Sequence, residues 1–125
     1  MGFGDRLVGA ILRIRESDEQ RLAEEIEGWA AAIPDTLRIA AAPVREQVRI
    51  AGVVRRMTVR PAEGNETLEV LVDDGTGEAV VVWTGRRAIP GLTLGTGIIA
   101  EGMLAEQLGE RRVINPRFEF APPID

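Results

Sequence analysis

The chain has 125 residues, of which 45% are hydrophobic and 28% charged, with a formal net charge of −5 and neither Cys nor His. This length is enough for one domain that buries a core without disulfides or metals. The chain also has no Lys, and its one Ser, Ser17, has no His or Lys to activate it. The composition therefore predicts a non-enzymatic protein without a metal or cofactor. Catalysis by paired carboxylates is the one alternative, and no spacing singles out such a pair.

The sequence gives no sign of a membrane segment. No apolar run approaches the roughly 20 residues that span a bilayer, and charged residues occupy the start of the chain, where a signal peptide would be apolar. A cytoplasmic location is the resulting expectation. Because the net charge is negative, a nucleic-acid-binding surface would have to be a local cluster of arginines.

The first part of the chain is predicted to be helical. Apolar residues recur at helical spacing between Asp5 and Arg15, which indicates a short amphipathic helix. A second helix is predicted to begin at Ser17, which has capping-box spacing with Gln20, and to end before Pro34. Its apolar face comprises Leu22, Ala23, Ile26, Trp29, Ala30 and Ile33. The two helices either cover the rest of the fold or form the surface of a homodimer or of a complex with another protein.

After Arg45 the pattern alternates with the period of β-strands. The first strand is predicted to run from Val48 to Arg60, with a bulge or sharp bend at Gly52, and to end at Pro61. The second strand contains Leu68, Val70 and Val72. The turn that follows, residues 73–77, has the Asp-Gly chemistry of a hairpin.

Three more strands complete the pattern. They are predicted at Glu78–Thr84, Gly97–Gln107 and Arg111–Phe120, with a connection broken by Gly and Pro between the first two of these. Five strands, the first long and bent, predict a mainly β fold, a five-stranded Greek-key barrel of the OB type with an N-terminal helical extension. An SH3-like barrel is the structural alternative. The expected organisation is an extension at 1–44, the barrel at 45–120 and a tail at 121–125.

Two motifs strengthen this interpretation. Val48–Val54 and Leu71–Gly77, followed by the strand that contains Gly102, resemble OB-fold nucleic-acid-binding domains of the tRNA-anticodon-binding type. That type includes OB modules of class II aminoacyl-tRNA synthetases, of a bacterial replicative polymerase subunit and of RecG helicase. Val82–Gly91 and Arg111–Glu119 are similar to segments of small stand-alone actinobacterial OB-fold proteins.

The resemblance implies non-catalytic binding of single-stranded DNA or RNA, including tRNA. The expected binding face lies on the second and third strands and is flanked by the loops that join strands one to two and four to five. On such a face, bases stack on aromatic rings or guanidinium planes and arginines hold phosphates. The residues that correspond to it are Arg56, Thr58, Arg60, Trp83, Arg86, Arg87, Arg111, Arg112 and Arg117.

Two questions stay open in the sequence. If Val80 and Val82 face the core, Trp83 faces outward and is available for stacking; otherwise Trp83 packs in the core. Phe118 and Phe120 share one face of the fifth strand, expected to be the core face, which favours Arg117 as a contact. The alternative function is a protein-interaction module, in which the helices and the acidic surface engage a partner and the barrel serves as a scaffold.

Overall fold

The computed structural model describes residues 16–62 and 64–123. The helix predicted between Asp5 and Arg15 lies outside the described residues. The described elements are helix α1 (Glu16–Ala31), a 3-10 helix (Ile39–Ala41) and six strands: β1 (Gln47–Ala62), β2 (Asn65–Asp73), β3 (Glu78–Thr84), β4 (Gly97–Gln107), β5 (Glu110–Ile114) and β6 (Arg117–Phe120). No helix within this part of the chain is long and apolar enough to cross a membrane.

Five of the strands close into a barrel. β1 pairs with β2, and β2 pairs with β3, in antiparallel orientation. β3 then pairs in parallel with β5, and β5 pairs with β4. β4 returns to residues 47–53 of β1 and closes the sheet. The mainly β OB-type barrel with a helical extension is therefore confirmed, and the SH3-like alternative is not observed.

The bend in β1 differs from the prediction. The register with β2 shifts between Val54 and Arg56, so the bulge is at Arg55 and not at Gly52. Gly52 is required for another reason, because a Cβ there would lie 2.9 Å from the Cβ of Val72. β1 also continues through Pro61, contrary to the prediction. Proline is tolerated there because residues 56–62 pair with β2 alone, which leaves the other edge of this part of the strand without a ladder to interrupt.

The predicted fifth strand is divided into β5 and β6. Asn115, between them, adopts a left-handed φ of 51°, and its Oδ1 accepts a hydrogen bond from the Thr84 amide at 3.0 Å. β6 leaves β5 and pairs with β4 at residues 98–101. Phe118 packs against the core as predicted. Phe120 contacts the Phe118 ring edge-to-face, with centroids 6.1 Å apart, but it is 47% exposed and is not part of the core.

Helix α1 packs on the outside of the barrel wall. In β1, Val48, Ile50 and Val54 point into the barrel core, whereas Ala51 and Val53 point outward, toward the helix. The apolar face of α1 packs against these two residues and Ile99 of β4. Its buried members are Leu22, Ile26, Trp29 and Ala30, and Ile33, two residues after the helix, is buried in the same cluster. Of the two alternatives for the second predicted helix, covering the barrel is confirmed.

The side chain of Asp74 stabilises the turn between β2 and β3 through hydrogen bonds. This carboxylate is almost fully buried. Its Oδ1 accepts hydrogen bonds from the amides of Thr76 and Gly77, at 2.9 and 3.1 Å, and from the Thr76 hydroxyl at 2.6 Å. Its Oδ2 accepts one from the Ile39 amide at 2.8 Å. The Asp-Asp-Gly-Thr-Gly motif thus joins the hairpin to the 3-10 helix.

Candidate nucleic-acid interface

One outer face of the barrel lies away from α1. The strand register places in one row Arg56, Leu71, Val80 and Arg112, and in the next row Thr58, Glu69, Val82 and Ile114. We call this surface of β1, β2, β3 and β5 the front face. It includes the second and third strands, where the sequence predicts nucleic-acid contacts.

Trp83 does not belong to the front face. It is 4% exposed, and its ring packs edge-to-face against Phe118 in the core, with centroids 5.2 Å apart. Val81 and Trp83 point inward while Val80 and Val82 point outward, so the arrangement that would have exposed Trp83 is wrong. The ring is therefore not accessible for base stacking. Its indole N–H has no hydrogen-bond partner within the described chain.

Charged side chains form a network of ion pairs across the front face. Glu69 Oε2 lies 3.1 Å from Arg60 Nε and 3.4 Å from Arg112 Nη2, and Arg112 Nη1 lies 2.7 Å from Glu110 Oε1. Burial raises the pKa of Glu69, but the hydrogen bonds and charges of Arg60 and Arg112 outweigh it, so this pKa is lowered overall. Burial lowers the pKa of Arg112, and its contacts with Glu110 and Glu69 raise it more strongly. Glu69 therefore partly neutralises two of the predicted phosphate-binding arginines.

Basic charge collects at one end of the front face, where the β1–β2 hairpin meets the segment after β3. Arg60 and Arg87 have side chains that are 64% and 74% exposed, and Arg86 is also exposed. Arg87 Nε lies 3.2 Å from Glu66 Oε2, whereas Arg86 forms no ion pair with any described residue. We call Arg60, Arg86 and Arg87 the arginine rim. An open cleft of about 490 Å³ lies beside it, lined by Pro61, Gly64, Asn65, Glu66, Gly85 and Arg87.

The other end of the face is more acidic. A cleft of about 600 Å³ beside the β4–β5 turn is lined by Glu78, Glu106 and Glu110, against Arg56 and Arg111. The Arg111 guanidinium donates a hydrogen bond to the Ile39 carbonyl and so holds the 3-10 helix against the barrel. A polyanion would consequently meet attraction at the arginine rim and repulsion near this turn.

The structure separates the predicted site residues into two groups. It brings onto one face Arg56, Thr58, Arg60 and Arg112, with Arg86 and Arg87 at its end. It places elsewhere Trp83 in the core, Arg111 at the 3-10 helix and Arg117 on β6, opposite Glu101 in the register.

Glu69 lies at the centre of this face but is not among the predicted site residues. A signal for it exists in the hairpin register. Because Ala62 pairs with Asn65 across a two-residue turn, Thr58 must pair with Glu69, and Glu69 is then diagonal to Arg60. The polar run at 62–66 does not specify so tight a turn, so the register could not be counted from the sequence.

Known structures share this fold. The HINb domain of p204 superimposes with a TM-score of 0.56 at 16% identity, covering 87% of this chain and 53% of that one. RecG, solved on a three-way DNA junction, gives 0.57 at 15% identity, covering 81% of this chain and 15% of RecG. A replication protein A heterotrimer bound to single-stranded DNA gives 0.47 at 23% identity, covering 75% of this chain and 70% of the other.

The similarities to HINb and to RecG show the OB fold. This chain spans about half of the HINb chain and a small part of RecG. No protein-family model matches the sequence, and no curated protein matches it.

Proposed function

We propose that this protein binds single-stranded nucleic acid on the front face, with phosphates held by the arginine rim, and that it performs no chemistry of its own. The observation that carries the proposal is the concentration of three exposed arginines at one end of an OB-barrel face that α1 leaves free, in a chain whose net charge is −5. RecG, which shares the fold, was solved on DNA, and this supports nucleic acid as the ligand class.

The composition of the face determines how it would bind. The face residues named above include no aromatic ring, so binding would depend on phosphate contacts of Arg60, Arg86 and Arg87, and bases could stack only on guanidinium planes. Leu71 and Ile114 add apolar surface within the two rows. Binding of this kind is electrostatic, tolerant of sequence and strongly dependent on salt.

The resemblance to tRNA-anticodon-binding domains adds tRNA as a ligand to compare with generic single strands. The cytoplasm is the compartment that we propose. DNA and RNA oligonucleotides of equal length and sequence, and a tRNA, therefore form the panel of ligands.

A salt titration of fluorescent oligonucleotides tests the proposal. If the rim contacts about three phosphates, log Kd changes with log salt with a slope of about 2, and affinity falls roughly 20-fold between 50 and 200 mM salt. Arg86→Ala combined with Arg87→Ala should reduce the slope to below about 1. The matched control combines Arg21→Ala on α1 with Arg117→Ala on β6, because both residues are exposed, lie off the front face and carry the same total charge. Equal losses in the two double variants would refute a site at the rim.

A different observation favours protein interaction as the second candidate function. Met103 on β4 and Ile114 on β5 are neighbours on the outer wall, and they are 55% and 52% exposed. Exposed apolar pairs of this kind are common at protein interfaces. Sedimentation of the wild type and of Ile114→Asp over a concentration range measures self-association through this pair. A sedimentation coefficient that is independent of concentration in both would exclude it.

A further inference from the structure

The turn between β4 and β5 exposes a leucine in a strained conformation. Leu108 and Gly109 join Gln107 to Glu110 across the hairpin, and both have left-handed φ values, 52° and 77°. Positive φ at both central positions is the pattern of a type I′ turn, which favours Asn-Gly and disfavours a bulky side chain. The Leu108 side chain is also fully exposed. Neither feature stabilises the fold, so this leucine points to a binding role.

Acidic side chains surround this turn. The cleft beside it is lined by Glu78, Glu106 and Glu110 against two arginines. Glu110 is paired with Arg112 at 2.7 Å, whereas Glu78 and Glu106 form no ion pair within the described residues. We call residues 106–110 the acidic tip. A phosphate backbone would be repelled here, so the tip suits an apolar cleft with positive charge at its margin.

The cleft beside the arginine rim has these properties. Its volume of about 490 Å³ exceeds that of a leucine side chain, and Pro61 contributes apolar surface. Gly64 and Gly85 also line it, and a Cβ built on either meets no atom within 4 Å, so their backbone leaves the cleft open. The three arginines of the rim outnumber Glu66, and they outnumber Glu66 and Glu63 together, which belong to the same stretch of sequence. The cleft is therefore opposite in sign to the acidic tip.

Two other cavities of the described chain are less suitable for the tip. The groove of about 830 Å³ beside α1 has an acidic lining that includes Glu24, Asp35 and Glu119 against Arg49, so it would repel the tip. The cavity beside Asp74 has only about 120 Å³. Size and charge together favour the cleft at the rim.

We infer that the acidic tip of one molecule docks in the cleft beside the arginine rim of a second copy, with Leu108 as its apolar anchor. The tip and the rim lie at opposite ends of the front face, so one molecule cannot make this contact with itself. Each copy contributes a different surface, and such heterologous contacts extend into head-to-tail chains unless they close into a ring. A docked copy and a bound oligonucleotide would use the same arginines and exclude each other, but the docking itself does not require nucleic acid.

Sedimentation velocity without nucleic acid, up to about 1 mM protein because small contacts are weak, tests the inference. The wild type should associate as its concentration rises. Leu108→Asn should weaken association at least about tenfold, since it removes the buried leucine, while its melting temperature stays the same or rises, since Asn-Gly suits the turn. Leu108→Gly replaces it if the melting temperature falls. Arg86→Ala with Arg87→Ala should also weaken association, whereas Ile114→Asp, outside both surfaces, should not.

Mixing two variants shows which surfaces meet. Leu108→Asn keeps an intact rim, and the double arginine variant keeps an intact tip. Each should be monomeric alone, and an equimolar mixture should form dimers that do not grow further, because only one tip and one rim remain in each pair. This result would support a head-to-tail contact.

Four results would overturn the inference: a wild type that stays monomeric up to about 1 mM, association that survives Leu108→Asn, association that Ile114→Asp abolishes, or a mixture that forms no dimer. The oligonucleotide affinity of Leu108→Asn, measured separately, reports on the proposed function, because this variant keeps the arginine rim. Failure of the docking and failure of nucleic-acid binding are therefore distinguishable.

Discussion

Replacing Glu69 by Gln should weaken the fold and strengthen nucleic-acid binding. Glu69 is the central carboxylate of the front face, within 3.1 Å of Arg60 and 3.4 Å of Arg112. Its side chain is 16% exposed, so its interactions are less screened than those of surface pairs. Because Arg112 keeps Glu110 at 2.7 Å, the loss of folding free energy should be about 1–2 kcal/mol.

The size of the gain in affinity depends on the distance between the Glu69 carboxylate and the bound phosphate. A phosphate bound on the outer side of Arg60 would lie ~7 Å from the Glu69 carboxylate, where two unit charges in water repel by about 0.6 kcal/mol. Removing the carboxylate should therefore improve Kd about threefold if one phosphate is near, and about sevenfold if Arg112 brings a second at the same distance. The gain should shrink at physiological salt, where the Debye length is about 8 Å.

The lowered pKa of Glu69 determines how the unfolding free energy changes with pH. The folded state lowers the pKa of Glu69, so its ionised form stabilises the fold at neutral pH, and this contribution disappears as the pH falls through the folded-state pKa. The difference in unfolding free energy between wild type and Glu69→Gln should therefore close as the pH is lowered below 4.5, the ordinary value for Glu.

Two measurements check both effects: urea unfolding between pH 3 and 7, and oligonucleotide titration at low salt. Glu101→Gln is the matched control, because Glu101 is also ion-paired, 3.8 Å from Arg49, but lies on β4 away from the front face. An unchanged or weaker affinity for Glu69→Gln in folded protein would refute the placement of phosphates beside Arg60. So would an equal gain for Glu101→Gln.

Three further substitutions test contacts that stabilise the barrel behind the front face. Asp74→Ala should cost about 3–5 kcal/mol in urea unfolding, because it leaves donors on three residues without their buried acceptor; a loss below 1 kcal/mol would contradict this role. Trp83→Phe should cost less than about 1.5 kcal/mol, because the indole N–H has no hydrogen-bond partner among the described residues, and should leave oligonucleotide affinity unchanged, because the ring is buried. Trp83→Ala should cost about 3–5 kcal/mol. Gly52→Ala should lower the melting temperature, since its Cβ would meet Val72 at 2.9 Å and such overpacking costs about 1–3 kcal/mol; an unchanged melting temperature would show that the strands can separate at this crossing.

Most strands of the barrel could be predicted because turn-forming residues next to them in the sequence indicate where they begin and end. β3 and β4 have the predicted bounds, Glu78–Thr84 and Gly97–Gln107, since a glycine-containing turn or connection precedes each of them. The burial pattern of β3, by contrast, could not be predicted. All five residues between its ends are buried, so alternation carried no information about which side of the strand Trp83 occupies.

The bulge and the division of the last strand depend on distant residues. Arg55 at the bulge has an ion pair with Asp73, at 3.0 Å, and Asn115, after β5, accepts a hydrogen bond from Thr84 at the end of the neighbouring strand β3. Neither partner can be identified from its local sequence. The prediction of one continuous strand through Asn115 therefore failed, and with it the grouping of Arg112 with Arg117.

The arginine pairs show how far strand geometry alone determines a binding face. Neighbours along a strand point to opposite sides, and Arg111 and Arg112 do so, one bonded to the Ile39 carbonyl and the other to Glu69. Both are occupied by the fold itself. Arg86 and Arg87 follow β3 in a segment without strand structure and are both exposed. Exposed positive charge therefore concentrates where the chain leaves the sheet, and the double variant there should reduce affinity more than any substitution within β5.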